Sequence, residues 1–211
     1  MNGGRLPAPD EGFYRKIFSR LPELTTERLT LRPMRRGDAR DLYAYASDPE
    51  VARHVLWSAH RDLDESREMI RAARRQYRHG WPASYAITMR DSGRMVGTIG
   101  FMWLNVEHRS AEVGYSLARD CWGRGLMTEA LRAVTGFAFD TLRLNRLEAQ
   151  HELDNPASGR VMEKCGFRPE GVLRSRLNNK GRFVDVKLWS LIRADLKQTG
   201  GGEDAPRGTN D

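Results

Sequence analysis

Three stretches of this chain hold residues whose types and spacing could do chemistry. The first is Cys121-Trp122-Gly123-Arg124-Gly125-Leu126-Met127-Thr128-Glu129-Ala130, a glycine-bearing turn that runs straight into an amphipathic pattern. A strand-like segment, Ala111-Glu112-Val113-Gly114-Tyr115-Ser116-Leu117, precedes it. Strand, glycine turn, helix is the order that aims unpaired backbone N–H groups at an anion, so this turn is a candidate cradle for a phosphate or pyrophosphate. The second is Glu112, which alternation sets with Gly114 and Ser116 on one strand face, opposite Val113, Tyr115 and Leu117. A carboxylate there can take a proton, and it can equally bond a neighbouring backbone. The third is Asn155-Pro156, an N-cap followed by a first-turn proline, with Ser158 one turn into the helix they open.

Other reactive side chains carry less. His54, His60, His79, His108 and His151 fall into no ligand spacing, and Cys121 and Cys165 form neither a disulfide framework nor a zinc motif. No metal is therefore expected. Cys121 has no paired histidine to activate it, and Cys165 before Gly166 reads as a small buried residue. Tyr115 reads as core. No G-x-G-x-x-G follows a first parallel strand and no Gly-Lys-Ser/Thr occurs, which excludes a Rossmann dinucleotide site and a P-loop.

The elements that must position these residues change period several times. Leu29–Pro33 alternates as a strand, and Asp38 opens a helix with Ala39, Leu42, Tyr43 and Ala46 on one side. A second helix runs from Asp64 to His79. Ala83–Met89 and Met95–Trp103 form a hairpin about Asp91-Ser92-Gly93, and Ala111–Ala118 adds a third antiparallel member. The helix after the glycine turn buries Leu126, Ala130, Leu131, Val134, Phe137 and Ala138. Arg146–His151 is a short strand, the Asn155 helix closes at Gly166, and Val172–Leu177 with Phe183–Leu191 makes a last hairpin. The order β-α-α-β-β-β-α-β-α-β-β predicts an α/β (α+β) chain with a mixed, mostly antiparallel sheet.

At 211 residues one domain suffices, with a core able to stand unaided. Residues 1–22 mix Gly, Pro and charge and read as a loosely ordered extension in which Phe13, Tyr14, Ile17 and Phe18 can dock as a short helix. The domain then spans 23–197, and 198–211, with almost nothing apolar, is expected to be disordered. No membrane span and no secretory segment is evident, so a cytoplasmic location is expected. The net charge of +7 favours anionic partners. Arg67 through Arg78 place a basic face on the second helix, read as a solvated surface or as a groove for an acidic partner such as ribosomal RNA.

The order of elements resembles the GNAT (GCN5-related N-acetyltransferase) superfamily, and within it the RimJ/RimL-type ribosomal-protein alanine acetyltransferases. Leu24–Arg32, Ala111–Tyr115, Trp122–Ala130 and Asn155–Phe167 carry the resemblance, spread over about Leu24 to Leu196. It implies a GNAT fold with roughly six to seven strands, about four helices, and fourth and fifth strands that splay apart around the pantetheine arm of acetyl-CoA. Leu117 and Ala118 then pair with the pantetheine through their main chains. Backbone N–H groups of Trp122, Gly123, Arg124, Gly125, Leu126 and Met127, with the Thr128 side chain, hold the pyrophosphate, and Arg124 adds charge. The superfamily often has Gly or Ala where Met127 stands, and RimJ-like members tolerate Met. Asn155 contacts the pantetheine, and Ser158 matches the group that meets the CoA sulfur.

The implied reaction is direct attack of a primary amine on the thioester, with Glu112 or a water chain as base. Leu177 and Gln150 are uncharged where other members carry a carboxylate. The acceptor is left open between a protein N-terminal α-amino group and a small amine such as an aminoglycoside or polyamine. A non-catalytic, basic RNA- or ribosome-associated module on the same fold is the other reading. Members commonly pair through sheet edges, so a homodimer is an expectation as well.

Overall fold

The computed structural model describes residues 8–199. Helix α1 (Glu11–Ser19) is opened by Asp10, whose carboxylate accepts the Phe13 N–H at 2.7 Å. Tyr14 and Phe18 are buried, and Phe18 meets Phe101 edge-on at 5.6 Å between centroids. The loosely ordered extension therefore contains a docked helix, held by the apolar spacing its sequence carried. Of the tail expected to be disordered, Gln198 and Thr199 close the last helix and the rest lies outside the described residues.

The sheet is built from β1 (Leu24–Thr25), β2 (Leu29–Pro33), β3 (Ser84–Met89), β4 (Met95–Asn105), β5 (Ser110–Leu117), β6 (Arg146–Glu152), β7 (Arg168–Asn179) and β8 (Arg182–Ile192). Their order across it is β1-β2-β3-β4-β5-β6-β8-β7. The eighth strand, beyond the six to seven expected, is β1. It contributes two residues facing Leu31 and Thr30, too few to show alternation in sequence. The helices are α2 (Ala39–Ala46), α3 (Pro49–Ala52), α4 (Leu63–His79), α5 (Leu126–Gly136), α6 (Pro156–Lys164) and α7 (Arg193–Thr199). With α1 they exceed the expected four by α1 itself, the single-turn α3 and the terminal α7.

One local expectation changes and another gains detail. Asp38 stands at the N-cap position of α2 as expected but gives it no side-chain cap bond; it ends a 3₁₀ turn, and its buried carboxylate pairs with Arg32 at 2.7 Å and accepts from Arg35 N. The helix also buries Tyr45, not Tyr43, because the inward stripe runs Ala39, Leu42, Tyr45, Ala46. Tyr43 instead sends its hydroxyl to the Arg61 carbonyl. The apolar run after the glycine turn is buried as read, but its winding loosens from α to a π turn at Phe137–Thr141.

The feature that positions the site is in the middle of the sheet. β5 and β6 run parallel and pair at Ser110↔Arg146, Ala111↔Leu147 and Glu112↔Glu148, and at no later residue. β5 continues to Leu117 along β4, while β6 continues to Glu152 along β8. A wedge opens between them, bounded by α5 on one strand's end and by α6 on the other's.

Candidate active site

Trp122, Gly123, Arg124 and Gly125 are exposed and lead into the buried first residues of α5, Leu126 and Met127. Gly123 and Gly125 adopt φ of +71° and +76°, a region that costs any residue with a Cβ. A Cβ on Gly123 would meet nothing within 4 Å, and one on Gly125 only the Arg28 guanidinium. Gly125 is the N-cap of α5 and supplies no side-chain cap. The first backbone bond of the helix is Glu129 N to Gly125 O. The N–H groups from Gly123 to Thr128 have no acceptor among the described residues. Open donors at a positive helix end, over a cradle shaped by two glycines, fit a diphosphate.

Residues from elsewhere fix this loop. Glu129, one turn into α5, accepts from Thr26 Oγ1 at 2.6 Å, Arg28 N at 2.8 Å and Arg28 Nε at 2.7 Å. Burial works against its charge, yet those bonds hold its carboxyl below the ordinary value. Trp122 turns its indole N–H to the Leu117 carbonyl at 2.8 Å. The Ala118 N–H is spent on Val96 O, and its carbonyl accepts from Cys121 N. This narrows what Ala118 can offer a pantetheine. By alternation the main-chain groups of Tyr115 and Leu117 are the ones directed at the wedge.

On the α6 side of the wedge, Asn155 caps the helix by accepting from Ser158 N at 3.3 Å. Ser158 Oγ lies 3.0 Å from the Tyr115 hydroxyl, which also reaches the Ser158 carbonyl at 3.1 Å. Burial pushes the Tyr115 phenol well above its ordinary range, so it stays protonated. Tyr115, read as a core residue, thus links β5 to α6. His151 packs its ring against Gly159; its Nδ1 faces the Glu152 carbonyl at 2.8 Å, and burial lowers its pKa.

Glu112 lies on the opposite face, at the last paired position before the wedge. Its Oε2 accepts from Trp103 Nε1 at 2.7 Å and its Oε1 from Gln150 Nε2 at 2.9 Å. The plain alternative, a bond to neighbouring backbone, is not what this carboxylate does. Two residues along that face of β6, buried Glu152 accepts from Asn179 Nδ2 and meets His54 Nδ1 at 2.9 Å. Lys180, at the β7–β8 turn, donates to the carbonyls of Ala52 and Val55 at 2.8 and 2.7 Å. The hairpin tip is thereby bolted to the loop after α3.

Glu112, Asn155, Ser158 and the loop from Trp122 to Thr128 therefore surround one wedge. The cysteines stand aside: burial raises both thiols, Cys165 to about 11. On α4 the basic face is laced by Arg67–Asp64, Arg71–Glu68 and Arg75–Glu68 pairs, as a solvated surface would be. Sequence reading missed Trp103, Tyr115, Arg28 and Glu129 as members of the site. Of these, Glu129 alone had a local signal that could have been read, an acidic residue in the first turn of α5 at the positive end of its dipole.

Residues 28–168 match the acetyltransferase (GNAT) domain family. The uncharacterized N-acetyltransferase p20 of Bacillus licheniformis is 36% identical over 82% of this chain and 97% of its own length. The spermidine N(1)-acetyltransferase of Vibrio cholerae is 24% identical over 79% of this chain and 94% of that protein. Among solved structures, RimL, a ribosomal L7/L12 alpha-N-protein acetyltransferase in complex with coenzyme A, superposes with a TM-score of 0.73 at 20% identity. That superposition covers 81% of this chain and 98% of RimL. With a glycine loop, a parted strand pair and a capped helix converging on one wedge, this chain belongs to the GNAT acetyltransferase family and is an acetyl-CoA-dependent N-acetyltransferase.

Proposed function

We propose that the acceptor is the α-amino group of a protein N-terminus, brought to the wedge from the Glu112 face. The carrying observation is the parting of β5 from β6 immediately after Glu112↔Glu148, beside an α5 N-terminus whose N–H groups are open. Gly123 to Thr128 hold the diphosphate of acetyl-CoA, and the main chains of Tyr115 and Leu117 run beside its pantetheine. Glu112, steadied by Trp103 and Gln150, takes a proton from the incoming ammonium, directly or through water. The amine nitrogen then bonds to the thioester carbon, the carbon–sulfur bond breaks, and the second proton shed by that nitrogen passes through the Ser158–Tyr115 hydroxyl pair to the departing thiolate, which leaves both hydroxyls protonated. Positioning and directed donors supply most of such a transfer.

The surroundings of the acceptor face support a peptide over a polycation. Arg174, Arg176 and Arg182 are exposed on the β7–β8 hairpin, and Leu56, Leu153 and Phe183 expose apolar surface. A polyamine is the second reading, favoured by the two carboxylates Glu112 and Glu152 and by the spermidine acetyltransferase relative. Calorimetric titration with acetyl-CoA, using Gly125→Trp as the control, tests the cofactor half. Acetyl transfer to N-terminal peptides against spermidine and aminoglycosides then tests the acceptor. Transfer to spermidine with none to peptides would overturn the peptide reading. Nucleic-acid binding by a chain that ignores acetyl-CoA would favour the non-catalytic module.

A further inference from the structure

Arg28 is tied to the glycine loop by a fork that leaves one arm spare. Its Nε donates to Glu129 Oε2, and its Nη1 donates to the Arg124 carbonyl at 3.0 Å. Nη2 has no acceptor among the described residues and lies 3.7 Å from where a Cβ on Gly125 would stand. The side chain as a whole is 42% exposed, and this arm stands beside the N-cap glycine of α5. The backbone beneath it is not free to drift. Arg28 N and Thr26 Oγ1 both donate to the same Glu129 oxygen, which welds the β1–β2 turn to α5.

We propose that Arg28 is a phosphate-binding residue for the diphosphate of acetyl-CoA as well as the brace of the loop. This rests on the cofactor reading above. A guanidinium can serve a carboxylate, a carbonyl and a phosphate oxygen at once because its five N–H groups lie in one plane. The Nη1 bond pins the Arg124 carbonyl away from the cradle, so the loop turns N–H groups, not oxygens, toward the anion. Nη2 then adds a charged donor beside Gly125, at the N-cap of α5. A lysine at the same position offers charge without the planar fork, so it cannot reproduce the fixed geometry in which one group serves the Glu129 carboxylate, the Arg124 carbonyl and a phosphate oxygen together.

The test is binding of three ligands to the full chain: acetyl-CoA, acetyl-dephospho-CoA, which keeps the diphosphate but lacks the 3′-phosphate, and acetyl-pantetheine, which lacks both. Arg28→Met should weaken the first two by a similar factor, about tenfold to hundredfold, and leave acetyl-pantetheine unchanged. The KM for acetyl-CoA should rise while kcat with saturating cofactor holds. Arg28→Lys should recover only part of the affinity, and it carries the test if Arg28→Met does not fold. Equal loss on all three ligands would mean a structural role only, and no loss on any would remove Arg28 from the site. Loss confined to acetyl-CoA would assign Arg28 to the 3′-phosphate and overturn the diphosphate contact. A wild-type chain that binds none of the three would overturn the cofactor reading itself.

Discussion

Tyr115, on the strand that leaves the parallel pair, and Ser158, in the first turn of the helix beyond it, bring their hydroxyl oxygens to 3.0 Å of each other. That contact bridges the two sides of the wedge, and it joins residues 43 positions apart in the chain. Ser158→Ala should lower kcat by about tenfold to hundredfold, and Tyr115→Phe by about tenfold, with little change in KM for acetyl-CoA. Steady-state kinetics with cofactor varied separates the two parameters. A KM effect alone would reassign the pair to cofactor binding.

Because burial raises the Tyr115 phenol above its ordinary value of 10, the folded chain holds that proton more tightly than the unfolded chain. Stability from this group is complete below pH 10 and is lost as pH rises from there toward the folded value. The wild type should lose stability over Tyr115→Phe as pH climbs above 10, read as converging melting temperatures. A constant gap across that range would contradict the assignment.

Glu112→Gln should cut kcat/KM about a hundredfold at neutral pH, while binding of acetyl-CoA persists. Trp103→Phe, which removes one of the two donors to that carboxylate, should give a smaller loss in the same direction. If Glu112→Gln transfers acetyl at the wild-type rate, the proton leaves through water instead.

Glu152 is 3% exposed and answers two partners from distant elements, His54 and Asn179. Glu152→Ala removes the acceptor these two share and leaves them only Arg53 O and the exposed Asp154, so it should destabilise the fold by about 2–4 kcal/mol. Denaturant unfolding measures this as a lower midpoint at constant slope. A shift below about 0.5 kcal/mol would show that the three groups re-solvate in place.

The Arg146 guanidinium, with help from Ser190, holds the Glu170 carboxyl down to about 2 from an ordinary 4.5. The sign follows from the lowered value: the contribution is present above pH 4.5 and is lost as pH falls toward 2. Glu170 is 38% exposed, so solvent screening keeps the effect modest. Melting temperatures of wild type and Glu170→Gln should differ at pH 6 and meet near pH 2. A difference that persists unchanged at pH 2 would place the effect in packing.

What the residues determined alone was everything local. Gly123 and Gly125 could be read as an anion turn because positive φ is a property of the residue type. Asn155-Pro156 could be read as a helix start because cap and proline act within one turn. The periods of β2 to β8 and of α4 to α6 followed from alternation and from the 3.6-residue stripe. The stripe placed Tyr43 inward instead of Tyr45, since neighbouring tyrosines on one helix differ only in which meets the sheet.

Tertiary structure decided the rest, because the deciding contacts join segments whose separation leaves no periodic trace. The parting of β5 from β6 depends on which neighbour each strand keeps, a choice made by the β4 and β8 ladders. Tyr115 looked like core until α6 brought Ser158 to its hydroxyl. Glu112 was a lone strand carboxylate until Trp103 and Gln150 converged on it from two other strands. Arg28, about a hundred positions before the loop it braces, carries no local signal of that task; only packing of the β1–β2 turn on α5 reveals it.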